Sequence, residues 1–290
     1  MIDQIEISGK TKPYAVLGHP IGHSLSPVMH NASLRALGED AIYLAFDVAP
    51  EDVMRTLPAM GMMGFRGVNL TVPLKEIARR GLERLDESAI LMGAVNTVEF
   101  DENGMIGHNT DGYGFIRAVS EAFDKKLYGC SVFIIGCGGA GRAVALTCAV
   151  NGAQSIALSD VDRSKAERLR DEIANCAAST SVAVATNTEE QTAMCREAQL
   201  VVQASPVGMS SGDPSLLKPH AFTPEQYVFD LIYMYPETPF LKTARTVGAQ
   251  VANGLGMLLY QGARAYEIWT GQRPDTTAMR TALEEAVYIK

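Results

Sequence analysis

Apolar residues recur along this chain in two alternating rhythms, short compact runs and longer stretches at helical spacing. That alternation predicts an α/β protein. Tyr14 to Leu17, Tyr43 to Phe46 and Gly67 to Thr71 read as strands, and Val95 to Phe100 with Met105 to Gly107 as a hairpin turning at Glu102-Asn103-Gly104. Helices are predicted from Ser26-Pro27 to about Leu37, over Glu51 to Met60, and from Pro73 onward. A second block follows Asp111. It has strands at Ser131 to Ile135, Ser155 to Leu158, Ser181 to Ala185, Leu200 to Ala204 and Tyr227 to Leu231. Its helices are Tyr113 to Phe123, an alanine-rich Gly139 to Val150 and a charged Ser164 to Ile173. Two last helices, Gly256 to Trp269 and Thr276 to Tyr288, come after this set is complete and are expected to pack back on the first block. The expected division is residues 1–112, completed by 256–290, and residues 113–255.

Composition narrows the function without changing the fold. The 290 residues are 47% hydrophobic and 20% charged, as in ordinary globular proteins. A net charge of −8 argues against a nucleic-acid partner, which calls for a basic patch. No apolar run is long enough to span a bilayer, and Met1 to Lys12 lacks the basic start and apolar core of a signal peptide. Cys130, Cys137, Cys148, Cys176 and Cys195 have neither CxxC nor disulfide-like spacing, so reduced thiols and a cytoplasmic location are expected. His19, His23 and His30 are close in sequence. Pro20 and Gly22 separate the first pair, however, and no metal is expected.

Gly136-Cys137-Gly138-Gly139-Ala140-Gly141 fits GxGxxG and lies between a predicted strand and a predicted helix. In that setting the glycines permit a tight turn and let a pyrophosphate approach the backbone. The helix N-terminus offers free N–H groups to the phosphates. Asp160 falls at the end of the next strand, where an acid accepts hydrogen bonds from the adenosine ribose hydroxyls and repels a 2′-phosphate. Asp162 adds negative charge, whereas Arg163 is suited to clamp a phosphate. The expected cofactor is NAD, with NADP as the alternative.

Ser24-Leu25-Ser26-Pro27 places two hydroxyls at a helix start. Ser26 suits an N-cap and Pro27 a first helical residue. The other reading is that both hydroxyls, with the helix N-terminus, hold a substrate carboxylate. In Asn69 to Lys75, a strand carrying Asn69 and Thr71 on one face is stopped by Pro73, and Lys75 follows. Oxidising a secondary alcohol requires removal of its hydroxyl proton. Lys75 is the candidate acceptor, with Asp111 to orient it or relay the proton. Gly93 to Thr97 and His108 to Gly112 supply further amides and hydroxyls at element ends, although such residues are also ordinary turn formers.

Taken in order, Ser24 to Pro27, Asn69 to Lys75, Gly93 to Thr97, Asn109 to Gly112, the glycine loop, and Gly254-Leu255-Gly256-Met257 with Gln261 resemble the shikimate dehydrogenase family over nearly the whole chain. The resemblance implies an N-terminal substrate domain and a Rossmann-type dinucleotide domain. The implied reaction is reversible oxidation of shikimate to 3-dehydroshikimate, with quinate as a second substrate. By the same resemblance Ser24 and Ser26 hold the carboxylate with Tyr233 nearby, and Asn69, Thr71, Asn96, Asp111 and Gln261 bind ring hydroxyls. Lys75 and Asp111 are the catalytic pair. Gly136, Gly138, Gly139, Ala140, Gly141 and Asp160 bind the dinucleotide, while Gly254 and Met257 border the nicotinamide. A monomer or homodimer is expected. Two stretches depart from the family pattern. Asp160-Val161-Asp162 stands where NADP-preferring members carry Asn-Arg-Ser/Thr, and Gln203-Ala204-Ser205 stands where Asn-Ala-Thr is usual. A quinate-preferring enzyme, another two-domain dehydrogenase such as a methylenetetrahydrofolate dehydrogenase, and a non-catalytic dinucleotide sensor are the rival readings.

Overall fold

The computed structural model describes residues 7–210 and 212–289; of the N-terminal segment, residues 1–6 lie outside it. The chain forms two compact α/β units. One runs to Gly114 and resumes at Leu259, and the other is Phe115–Leu258.

In the first unit the elements are β1 (Lys12–Gly18), α1 (Ser26–Ala36), β2 (Ala41–Asp47), α2 (Val53–Met62), β3 (Gly67–Leu70), α3 (Leu74–Gly81), β4 (Arg84–Leu85), α4 (Glu87–Met92), β5 (Thr97–Asp101) and β6 (Gly104–His108). The strands form a mixed sheet in the order β2-β1-β3-β5-β6-β4. Strand alternation sorts the side chains onto two faces. Ala15, Leu17, Val68 and Leu70 join a core with Val53, Leu57 and Leu74, whereas Tyr14, Val16 and Tyr43 join a second core with Leu34 and Tyr266. The chain leaves this unit within α5 (Asp111–Phe123).

The second unit contains β7 (Ser131–Ile135), α6 (Gly139–Val150), β8 (Ser155–Ser159), α7 (Arg163–Cys176), β9 (Ser181–Val184), α8 (Thr188–Glu197), β10 (Leu200–Gln203), β11 (Tyr227–Asp230), α9 (Pro239–Val247) and β12 (Gln250–Asn253). Its six strands are all parallel, in the order β9-β8-β7-β10-β11-β12. Counted within the unit this is 3-2-1-4-5-6, the Rossmann order, with its switch point between β7 and β10. The four central strands, β8, β7, β10 and β11, are largely buried and read as near-continuous apolar runs for that reason, whereas the edge strands β9 and β12 are partly exposed.

The chain returns within α10 (Leu255–Thr270) and ends with α11 (Thr276–Tyr288). These helices complete the first unit. The Trp269 ring occupies the space above Gly67, where an added Cβ would sit 2.3 Å from it, and its Nε1 donates to Val98 O at 3.0 Å. The Asp275 N–H donates to Ser33 Oγ on α1 at 2.9 Å.

Two predicted helix starts are corrected. The N-cap of α1 is Leu25, so Ser26 is the first helical residue and caps nothing through its side chain. Helix α3 begins at Leu74, with Pro73 as its N-cap rather than its first residue.

Candidate active site

In the first unit the sequence-predicted polar residues form one hydrogen-bonded chain. Tyr43 OH donates to Asn69 Oδ1 at 2.7 Å. Asn69 Nδ2 donates to Asn96 O and to Thr97 Oγ1, both at 3.0 Å, and Thr97 Oγ1 donates to Asn96 Oδ1 at 2.9 Å. Asn96 Nδ2 then donates to Thr110 Oγ1 at 3.0 Å and to Asp111 Oδ1 at 2.8 Å. Lys75 Nζ closes the chain on Asp111 Oδ2 at 2.7 Å. Buried polar groups are tolerated only when paired, and here each amide has its partners.

Each member is placed by a regular element. Asn69 is on β3 and pairs across the ladder with Thr97 on β5. Asp111 opens α5, where a carboxylate is favoured by the helix dipole, and its N–H donates to Asn109 Oδ1 at 3.0 Å. Lys75 lies in the first turn of α3, and its carbonyl accepts from Val95 N–H at 2.9 Å. The lysine side chain is 26% exposed and the aspartate 16%, so the pair is reachable yet sheltered.

Tyr43 is clamped from α1. Asn31 bonds both its backbone groups at 2.8 Å, and the His30 ring stacks parallel to the phenol at 4.2 Å. His30 is fully buried, and burial pushes its pKa down to about 3, so it packs as a neutral ring. Burial raises the Tyr43 pKa, opposed by a hydrogen bond with Ser26. Ser26 thereby joins the same chain, and its own N–H donates to Ser24 Oγ at 3.3 Å. Thr71 packs its methyl over Gly18, where a Cβ would fall 2.6 Å from Thr71 Cγ2. Gln261 is half-buried on α10.

The second unit carries the glycine loop between β7 and α6. Gly136 has φ +98°, and a Cβ on Gly141 would lie 1.8 Å from Gly136 O, so neither position admits a side chain. Gly138 and Gly139 face open space, and α6 begins without a side-chain cap. The cradle thus leaves the helix N–H groups free and fits a pyrophosphate. Asp160 follows β8, and its carboxylate accepts from Cys137 N–H at 2.6 Å and Asp162 N–H at 2.8 Å. A groove of about 670 Å³ runs past Gly136, Gly138 and Asp160. Sequence reasoning missed much of its lining, including Lys165, Thr186, Asn187 and Gln191. Asp162 has another task. It caps α7 by accepting from the Ser164 hydroxyl and N–H, and these bonds hold its carboxyl below the usual range.

Tyr233 is half-buried, and burial raises its pKa. Gly254 is packed so closely that a Cβ would lie 2.0 Å from Leu231 O, and Met257 is half-buried two residues into α10. The Thr97 and Thr110 hydroxyls were expected only as part of Gly93 to Thr97 and His108 to Gly112, with no role of their own assigned to them.

A Rossmann-ordered sheet with a glycine cradle, in one chain with a Lys–Asp pair at the end of a buried polar network, defines a dinucleotide-binding dehydrogenase. Residues 16–98 match the shikimate dehydrogenase substrate-binding domain and 254–284 the shikimate 5′-dehydrogenase C-terminal domain, while 132–212 match a saccharopine dehydrogenase NADP-binding domain. The chain belongs to the shikimate dehydrogenase family. It is 39% identical over 285 residues to a shikimate dehydrogenase (NADP(+)) of Methanopyrus kandleri, covering 97% of this chain and 98% of that one. The shikimate 5-dehydrogenase of Listeria monocytogenes, solved with shikimate and NAD, matches with a TM-score of 0.90 at 33% identity, over 96% of this chain and 98% of that one. Quinate dehydrogenase from Corynebacterium glutamicum, solved with NAD, matches at 0.85 and 32% identity, over 94% and 98%. Among the described residues no helix is long and apolar enough to cross a membrane.

Proposed function

We propose that this protein catalyses the reversible oxidation of shikimate to 3-dehydroshikimate. The single observation that carries this is the 2.7 Å contact between Lys75 Nζ and Asp111 Oδ2 at the end of the polar chain, in a member of this family. In the oxidative direction Lys75, as the amine, accepts the proton of the reacting hydroxyl as the O–H bond breaks, while the C–H bond of the carbinol carbon is given up as hydride. Asp111, held by Asn96, keeps the amine oriented and stabilises the ammonium formed. In reverse the ammonium returns the proton to the ketone oxygen. The nicotinamide, when bound, takes the hydrogen and electron pair from the alcohol carbon. Ser24, Ser26 and Tyr233 are assigned to the substrate carboxylate, and Asn69, Thr71, Asn96 and Gln261 to the ring hydroxyls.

The glycine loop is assigned to the pyrophosphate, with Gly254 and Met257 beside the nicotinamide. NAD is the proposed preference, because the Asp160 carboxylate stands in the groove where a 2′-phosphate would meet it. That sets this chain apart from its relatives named for NADP(+). Arg163 and Lys165 line the same groove and keep NADP as the second cofactor. The test is a two-by-two assay of shikimate and quinate against NAD and NADP. Fastest turnover of shikimate with NAD is expected. Dinucleotide binding without turnover of either substrate would overturn the reading and favour a sensor.

A further inference from the structure

The nucleotide-binding unit holds a fully buried carboxylate to which the reaction above assigns no task. Asp230 ends β11 with 0% exposure. Its Oδ2 accepts from the Thr238 hydroxyl at 2.6 Å and its Oδ1 from the Ile232 N–H at 3.0 Å. Strand register sets it between Gln203 at the end of β10 and Asn253 at the end of β12. Gln203 is equally buried, and its Nε2 lies 3.4 Å from Asp230 Oδ1. The same Nε2 donates to the carbonyls of Ser205 at 3.1 Å and Val207 at 2.9 Å, while Oε1 accepts from the Ser205 N–H.

An ionised carboxylate can only accept hydrogen bonds. Together with the Ser205 and Val207 carbonyls and the Ser205 N–H, it therefore favours the Gln203 orientation that turns the amide nitrogen toward Asp230 and the oxygen toward Ser205. The reversed amide would set its oxygen against the carboxylate and two carbonyls. The segment held this way lines the groove through Ala204, Ser205 and Val207. It also abuts the glycine loop, since a Cβ on Gly136 would be 2.7 Å from Ser205 N. Gly208, which closes the segment, packs against Ile232 and Thr238, the two residues bonded to Asp230.

We propose that Asp230, as a carboxylate, is a positioning residue for the dinucleotide: it fixes the Gln203 amide and through it the Ser205–Val207 wall of the groove. This rests on the dinucleotide reading given above. The site titrates near neutrality, because burial raises the Asp230 pKa to about 6 against the opposing bonds from Thr238 and Ile232. The groups facing it are uncharged: Gln203 from β10, Asn253 from β12, and Thr238 at the N-cap of α9. Protonation turns Asp230 into a donor and removes the acceptor charge that adds to the Ser205 and Val207 carbonyls in holding the Gln203 amide. If only the ionised form keeps the wall in place, about a tenth is competent at pH 5, and the apparent Kd rises about tenfold between pH 8 and pH 5.

The test is fluorescence titration of the full-length protein with NADH from pH 5 to pH 8. NADH is the suitable probe because a 2′-phosphate itself titrates near pH 6. Wild type should weaken about tenfold over this range. Asp230→Asn keeps the shape, with its amide turned to Thr238 Oγ1, and should bind at least tenfold more weakly at pH 8 with no pH dependence. Asp160, Arg163 and Lys165 are common to both proteins, so the comparison isolates Asp230. Wild-type affinity in Asp230→Asn at pH 8, or a flat wild-type profile, overturns the proposal. Should that variant fail to fold, Thr238→Val removes a donor to the ionised carboxylate and should move the wild-type midpoint to higher pH; an unmoved midpoint overturns it equally. Failure of wild type to bind either NADH or NADPH at pH 8 would instead sink the dinucleotide reading.

Discussion

Lys75 Nζ donates to one oxygen of the Asp111 carboxylate at 2.7 Å while Asn96 Nδ2 donates to the other at 2.8 Å. The carboxylate is thus held at both ends, and the lysine is aimed by a group that is itself fixed. Replacing Lys75 by Ala removes the proton acceptor and leaves the glycine loop untouched. Turnover should fall by roughly 10²–10⁴-fold, with NADH affinity unchanged. Steady-state kinetics and a binding titration on the same preparation check this, and near-normal turnover would exclude Lys75 from the chemistry.

Tyr43 is the far anchor of the same chain. Tyr43→Phe keeps the stack on His30 but leaves buried Asn69 Oδ1 without its donor. The unfolding free energy should drop by about 1–3 kcal/mol. Urea denaturation of the two proteins measures the difference, and an unchanged midpoint would show that Asn69 finds another donor.

Asp160 binds the glycine loop through Cys137 N–H as well as facing the groove. Asp160→Ala should therefore weaken NAD and improve NADP, shifting the ratio of kcat/KM values by about tenfold, or ~1.4 kcal/mol. A wild type that already prefers NADP strongly would refute the assignment.

Asp230 also predicts how stability depends on pH. Its pKa in the folded protein is raised, to about 6, so the protonated form is the favoured one. Its contribution is fully present below about pH 4 and is lost as pH rises through about 6. Asp230→Asn escapes this loss. The variant should gain on wild type between pH 4 and pH 7, approaching ~3 kcal/mol for a shift of about two units. Thermal melts across that range read the gain, and a constant difference would argue against the shift.

Local chemistry was legible in the sequence. The glycine loop fitted its motif, and the expected partners Lys75 and Asp111 do meet, as do Asp160 and the loop at Cys137. Strands β7, β8, β10 and β11 stood out as buried apolar runs. Short amphipathic helices did not. Helices α4, α8 and α9 were not anticipated, although Asp86, Asn187 and Thr238 cap them and Gly248 ends the last. Such caps are common turn residues until the element they begin is known. The polar chain was hidden for a different reason. Thr97 meets Asn69 only through the register of β5 on β3, and Gln203 meets Asp230 only through the register of β10 on β11. Pairing between distant segments is written in the fold, not in spacing along the chain.

Trp269 has a consequence for how the protein is made. Its indole covers Gly67 and bonds Val98, while Asp275 reaches back to Ser33, so the first sheet is closed by residues made only after the whole second unit. Vectorial synthesis delivers the whole of Phe115–Leu258 before that lid exists. The nascent chain therefore carries a complete second unit while the first unit still lacks Trp269 and α11. Synthesis of Trp269 and Asp275, rather than of Lys75, sets the moment at which the first unit can be completed.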